Sequence, residues 1–248
     1  MIELSVIAPC YNEQNNIKDL VSKVLELFNK NIINGEIILV NDGSNDGSRI
    51  EIEKICRQFK NVVGVSHAEN FGITEAWNSG LKSSRGKYIV TIDADLQYNP
   101  EDIIRLYQEI RSDKYDLVQG WRMEYKDDNL LRKFLSRSLS YLLNILFFTR
   151  MNDIKSGFVM YKREVFLDIL KYRNKFRVFQ HFFILCALKQ GYMIKQVPIA
   201  FYPRIRGESF IKNPMFFSFK VLLDIPKAVL YFGILARKSI RRKSQCAA

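Results

Sequence analysis

The stretch TIDADLQYNP, residues 91–100, places two aspartates one residue apart where an apolar, β-branched run stops. Carboxylates at i and i+2 leave an extended strand on the same side. Side by side they repel, and one is driven toward protonation unless a cation stands between them. Asp93, Asp95 and the Gln97 amide make a hard, oxygen-rich set suited to Mg2+ or Mn2+. Such an ion needs few carboxylates when a substrate diphosphate supplies further ligands. The plainer alternative is that these acids are turn residues capping a helix that starts near Pro100.

Residues of this kind need a scaffold, and the first half of the chain predicts one. LSVIAP, EIILV, VVGV and KYIVTID are short apolar runs that read as strands. Between them lie Ile17, Leu20, Val21, Val24, Leu25 and Phe28 at helical spacing, then SRIEIEKICRQF, then ITEAWNSGLKS with Gly80 and Gly86 marking its end. NDGSNDGS is a dense turn signal after the second strand, and Pro100 opens a helix over EDIIRLYQEI. Such alternation predicts a parallel sheet flanked by helices, with ligands beyond the carboxyl ends of its strands. Asn12, Glu13, Asp42, Asp93 and Asp95 all fall at those ends.

The second half predicts further strands at LVQGWR, at SGFVMYKREVF leading into a helix, and at YMIKQVPIAFYPR. Residues 129–150 predict a long amphipathic helix, apolar at Leu131, Leu135, Leu139, Leu142, Leu143, Leu146 and Phe147. Residues 215–236 are apolar but broken by Lys220, Asp224, Pro226 and Lys227, so they do not form a membrane span. Arg237, Lys238, Arg241, Arg242 and Lys243 follow. An apolar helix beside a basic cluster fits lying on an anionic bilayer, against the plainer reading of a core helix with a solvated tail. The expected division is a catalytic domain over 1–212 and a membrane-associating extension over 213–248.

Composition narrows the partners. Thirty-eight Lys and Arg against 26 Asp and Glu leave a net charge of +12, which suits an anionic partner. Lys and Arg are scattered without a nucleic-acid-binding motif, so nucleic acid is not the expected one. Cys10, Cys56, Cys186 and Cys246 lack paired spacing, and two histidines are too few for a zinc site, so reduced thiols in a cytosolic setting are expected. MIELSVIAPC reads as a strand rather than a signal peptide. Neither the phosphate-binding P-loop pattern nor a dinucleotide-binding glycine fingerprint is present.

APCYNE (8–13), VNDGSNDGS (40–48) and DADLQYNP (93–100), in that order, resemble the family 2 glycosyltransferases of GT-A fold. GWR (120–122), RKFLS (132–136), DIKSGF (153–158) and VPIAFYPRIRGES (197–209) resemble more narrowly the dolichol- and polyprenyl-phosphate sugar synthases, of the dolichyl-phosphate mannosyltransferase type. The resemblance spans about residues 4–210. It implies that Pro9, Tyr11, Glu13 and Asp42 hold the nucleotide base and ribose, and that Asp93, Asp95 and Gln97 serve metal and diphosphate. It also implies that Arg204, with Arg206 as a second candidate, closes over the nucleotide phosphates, and that Arg122, Arg132 and Ser136 receive the lipid phosphate. Asp95, Arg122 and Arg132 are the expected catalytic residues. Arg132 and Ser136 stand at i and i+4 of one helix, so both can address one anion.

The expected reaction is inverting, metal-dependent transfer from a nucleoside-diphosphate sugar to undecaprenyl or dolichyl phosphate. A phosphate monoester is already anionic near neutral pH, so no general base is required. The alternative is a family 2 enzyme that glycosylates a saccharide hydroxyl in surface-polysaccharide synthesis. The expected place is the cytoplasmic, inner face of a membrane, with contact through 129–150 and 215–236, through a membrane-protein partner, or within a homo-oligomer. Two departures stand out: Phe210 where the family often has lysine, with Lys212 two residues on, and Gln180 and His181 where many members carry glutamate.

Overall fold

The computed structural model describes residues 1–125, 130–204, 206 and 214–234. The strands are β1 (Leu4–Cys10), β2 (Gly35–Asp42), β3 (Val62–His67), β4 (Tyr88–Thr91), β5 (Leu117–Tyr125), β6 (Val159–Lys162) and β7 (Ile194–Phe201). They form one sheet in the order β3-β2-β1-β4-β6-β5-β7. Neighbours run parallel except β6, which is antiparallel to both β4 and β5. The helices are α1 (Ile17–Lys30), α2 (Ser48–Gln58), α3 (Ile73–Ser83), α4 (Asp102–Ile110), α5 (Leu130–Phe147), α6 (Arg163–Leu170), α7 (Phe183–Lys189) and α8 (Pro214–Ala228). A π-helical turn, Val229–Ile234, prolongs α8. Every strand expected from the sequence is present, and the mostly parallel, helix-flanked sheet is the expected α/β architecture.

β1 and β2 read as unbroken apolar runs because both of their faces are covered. Alternation divides their side chains between two cores. Val6, Leu39 and Val90 pack with Ile17, Leu20, Ile52 and Ile103 from α1, α2 and α4. Ile7, Ile38 and Ile89 pack with Trp77, Phe166, Phe183 and Val221 from α3, α6, α7 and α8. Helix α1 buries Ile17, Leu20, Val21, Val24 and Phe28 as its periodicity predicts, but Leu27 is buried and Leu25, expected on that face, is only partly so. Each buried side chain contributes about 1.5–3 kcal/mol on leaving water.

Register sets the rim. Cys10 lies opposite Asn41, and Asp42 opposite His67, so the loops after β1, β2 and β3 emerge together. The expectation for Gly80 is corrected: α3 continues to Ser83 and Gly80 lies inside it. A Cβ there would stand 2.5 Å from Ile7 Cγ2 and 3.3 Å from Val40 Cγ2. The missing side chain is what lets α3 lie close on β1 and β2, and that outweighs a helix-propensity penalty of about 1 kcal/mol. Gly80→Val should therefore cost about 1–3 kcal/mol by overpacking. Urea unfolding measures this, and an unchanged midpoint would contradict the close-packing account.

Candidate active site

The loops after β1 and β2 are stitched to each other. Asn12 takes a left-handed φ of 57°, a conformation asparagine tolerates. Its N–H donates to Ser44 Oγ (3.0 Å), and its Oδ1 accepts from Asn45 N–H (2.9 Å). The Glu13 N–H donates to Ser48 Oγ (2.8 Å), and Gly47 N–H donates to Gln14 Oε1 (2.6 Å). NDGSNDGS is thus more than a turn: it supplies the partners that hold Glu13 in place. Sequence reasoning did not assign Ser44 and Ser48 this part, although their turn-forming types were visible.

Glu13, Asp95 and Arg204 meet at this rim. Arg204 donates from Nη1 to Glu13 Oε1 (2.7 Å) and from Nη2 to Asp95 Oδ2 (2.8 Å). Asn16 Nδ2 donates to the other Glu13 oxygen at 2.6 Å. Both acids are buried. Burial raises both carboxyls above their ordinary value, with Arg204 pulling the other way. Arginine, always charged and fork-shaped, is the side chain suited to bridging two such acids.

The extended geometry does not persist from β4 into the acidic pair. The chain turns at Ala94–Asp95, Leu96 takes φ of 60°, and Asp95 Oδ1 accepts from Gln97 N–H at 3.1 Å. The two acids nonetheless stay close enough to repel. Asp93 is pushed up to about 7 by burial and then by Asp95, against Arg122 and Arg204. Asp93 carries no hydrogen bond or ion pair among the described residues. A two-carboxylate oxygen set with one unbonded acid fits Mg2+ or Mn2+ if diphosphate oxygens complete the shell. Among the described residues no three Asp, Glu, His or Cys side chains are arranged as a protein-only metal cage.

A second charged group also bears on Asp93. Arg122 donates from Nε to Asp153 Oδ2 (2.6 Å) and from Nη2 to Asp153 Oδ1 (3.1 Å), and its guanidinium stands 5.2 Å from the Phe201 ring centre. Burial alone would raise Asp153, but Arg122 outweighs it and holds the carboxyl below its usual range. Lys155 is pushed down to about 7 by burial and by Arg122. His181, buried in a short turn over Phe179–His181, is pushed down to about 3 by burial, Lys155 and Arg122. Asp153 and Lys155 belong to the motif DIKSGF, which carried no residue assignment; their charges could have singled them out.

Other expected residues are placed differently. Both oxygens of Asp42 are engaged inward: Oδ1 accepts from Phe71 N–H and Oδ2 from Gly72 N–H, each at 2.9 Å. His67 Nδ1 lies 2.7 Å from Asp42 Oδ1, and His67 Nε2 lies 2.9 Å from Ser79 Oγ. Asp42 therefore anchors the loop before α3, a part the sequence did not indicate. Arg206 is exposed and bonds Asn15 O and Asp19 Oδ2 on the α1 side, away from the Glu13–Asp95 pair. Gln97 Nε2 donates to Tyr202 O (3.0 Å), which ties the acidic turn to the segment leading to Arg204. Pro9 and Tyr11 are half-buried at the end of β1. The side chains of Arg132 and Ser136, and residues Phe210, Lys212 and 235–248, lie outside the described residues.

Asp93 sets a sign for pH dependence. Its carboxyl is raised from about 4 to about 7, so between these values the folded chain holds a proton that the unfolded chain releases. Stability therefore falls as pH rises through that window and levels off above it. Asp93→Asn removes the effect. Its thermal midpoint should exceed the parent's at pH 8 and match it at pH 4; equal shifts at both values would refute the assignment.

Comparison with known proteins bears on the family and the fold. The family model described as Glycosyl transferase family 2 matches residues 5–170. A dodecaprenyl-phosphate galacturonate synthase of Rhizobium johnstonii is 28% identical over 240 residues, covering 95% of this chain and 69% of that protein. An undecaprenyl-phosphate 4-deoxy-4-formamido-L-arabinose transferase of Shewanella sediminis is 31% identical over 169 residues, 68% of this chain and 50% of that protein. The chain thus spans about half to seven tenths of the length of the curated relatives it matches, 50–69%. Among solved structures, the glucosyl-3-phosphoglycerate synthase of Mycobacterium tuberculosis in complex with Mn2+, uridine diphosphate and glucosyl-3-phosphoglycerate has a TM-score of 0.68 at 18% identity. That match covers 94% of this chain and 80% of that one. A mannosyltransferase from Pyrobaculum calidifontis in complex with GDP-Man and Mn2+ has a TM-score of 0.66 at 15% identity, covering 96% and 69%. At such identities the structural likeness shows the GT-A fold, and it is the family match over two thirds of the sequence that identifies the chain as a member of glycosyl transferase family 2.

Proposed function

We propose that this family 2 glycosyltransferase moves a sugar from a nucleoside-diphosphate sugar to a polyprenyl phosphate, with inversion at the anomeric carbon. The supporting observation is the placement of two arginines about one acid: Asp93 feels both Arg204, which leads to Glu13, and Arg122, which leads to Asp153 and Lys155. Such a site has one cationic group for a departing diphosphate and another for an attacking phosphate. Relatives named for dodecaprenyl and undecaprenyl phosphate support the lipid acceptor.

In this reading Pro9, Tyr11, Glu13 and Asp42 shape the nucleoside pocket, and Asp42 acts by fixing the loop that begins α3. Arg204 binds the diphosphate, while Arg206 is held against the start of α1 by Asn15 and Asp19. Arg122, aligned by Asp153 and Phe201, positions the acceptor phosphate together with Arg132 and Ser136 for in-line attack. Asp93 and Asp95, with the Gln97 amide, would hold Mg2+ or Mn2+. When bound, that ion offsets charge on the departing diphosphate. The saccharide-hydroxyl alternative needs a base on the acceptor side. The carboxylate there is Asp153, which Arg122 holds below the usual range and engages through both oxygens, making it a poor base.

We assign residues 1–212 to catalysis and 213–248 to membrane contact at the cytoplasmic face. No helix among the described residues is long and apolar enough to cross a membrane. Helices α5 and α8 touch each other, and they expose Tyr141, Leu142, Ile145, Phe219 and Leu222 while burying Leu143, Phe147 and Val221. The basic cluster from Arg237 to Lys243 follows in sequence, which favours an anionic bilayer as the surface they meet.

The test is to incubate the chain with a panel of nucleotide sugars and undecaprenyl or dolichyl phosphate, with Mn2+ or Mg2+, and weigh the lipid. A mass gain of one sugar is expected. Arg122→Ala should lower acceptor kcat/KM about 100-fold while leaving donor binding within a few fold; loss of donor binding instead would remove Arg122 from the acceptor side. For the surface, Ile145→Glu with Leu222→Glu should weaken sedimentation with anionic vesicles without altering the thermal midpoint. Undiminished sedimentation would place the membrane contact elsewhere.

A further inference from the structure

Asp224 has no place in the chemistry above, yet its side chain is among the least expected in the molecule. It sits on α8 at 0% exposure, within the aromatic core that holds Phe176, Phe179, Phe182 and Phe232. A carboxylate is retained in such surroundings only where something compensates it. The compensation is local: Oδ2 accepts from Arg177 N–H at 2.6 Å and from Val178 N–H at 3.1 Å. Oδ1 has no partner among the described residues. Two main-chain N–H bonds therefore converge on one oxygen and hold one short segment.

That segment runs directly into the acceptor side. Val178 precedes the turn Phe179–His181; Phe179 and Phe182 share a core with Ile154, the residue between Asp153 and Lys155, and the charges of Lys155 and Arg122 bear on His181. The turn also rests on α3, which carries Trp77 into the same core. On the helix itself, Asp224 and Val221 face inward while Phe219, Leu222 and Leu223 face out. One helix thus presents an apolar surface outward and grips the acceptor-side turn inward.

We propose that Asp224 is a positioning residue, through which the seating of α8 sets the Phe179–His181 turn beside Arg122 and Lys155. It does not touch substrate; it fixes the wall against which the acceptor phosphate is placed. A displaced wall misplaces the acceptor while leaving the donor end, built on β1, β2 and Arg204, unaffected. This rests on the lipid-phosphate reading given above.

The test uses the full chain and three readouts: acceptor kcat/KM in vesicles, donor binding by calorimetry, and the urea midpoint. Asp224→Ala should lower acceptor kcat/KM about 10- to 100-fold with donor affinity within about twofold. Asp224→Asn, whose carbonyl oxygen can accept both N–H groups, should recover most of the loss. If Asp224→Ala lowers only the urea midpoint, or lowers donor and acceptor use in equal measure, Asp224 is a structural cap and the proposal fails. Should the alanine variant not fold, Asp224→Ser keeps an oxygen but shortens its reach, and must show the same selective loss. If the wild-type chain makes no lipid-linked product, the acceptor reading fails on its own account. The coupling is then judged by hydrogen exchange, which must quicken in the variant across 179–182 as well as at the two amides Asp224 bonds; quickening confined to 177 and 178 overturns it.

Discussion

Repulsion among carboxylates drawn to one rim is the constraint around which the molecule is arranged. Glu13, Asp93 and Asp95 are brought together from two different loops, and burial makes the charge on each harder to sustain. Left alone they would protonate or move apart. Arg204 bridges two of them, and Asp93 is left crowded by Asp95, with no bond among the described residues. A basic protein keeps acids here because the arginines and the acids belong to one balance of charge. An anionic substrate that draws on the arginines must bring or accept a cation for the acids.

That balance explains why so much structure is devoted to holding loops. Register across β1, β2 and β3 brings three strand ends level, and hydroxyls from Ser44 and Ser48 hold the turn that carries Glu13. Gln97 and Tyr202 tie the acidic turn to the approach of Arg204, reinforced by the bridge between Tyr98 and Phe201. Phe201 in turn supports Arg122. The two arginines that flank Asp93 are therefore mounted on neighbouring stretches of backbone, one on β5 and one just past β7.

Helices α5 and α8 extend the same logic outward. Each has an inward face that belongs to the second core and an outward face that is apolar without being buried. A purely solvated helix would carry charge there instead. Asp224 breaks the pattern on the inward face by bonding main chain rather than packing, which joins this helix to the segment that leads into the Phe179–His181 turn.

Read without coordinates, the chain already determined its strands, most of its helices and the rim where its chemistry gathers. Those features arise from local periodicity, from turn residues such as Gly43 and Gly47, and from the rule that parallel sheets bind ligands at their carboxyl ends. Glu13 and Asp95 were legible as site residues because they fall at the carboxyl ends of the strands, and Arg204 only through the family resemblance of VPIAFYPRIRGES. The tertiary structure alone decided their pairings. It made Asp42 a loop anchor rather than an open carboxylate, turned Arg206 toward α1, and placed Gly80 inside a helix as a point of close approach. It also drew Asp153 and Lys155 into the site from a motif that had no assigned role, and put Asp224 against a segment 46 residues away. The physical reason is common to all of these: a residue's type is a local property, whereas hydrogen-bond partners and charge neighbours come from sequence-distant segments that only folding brings within reach.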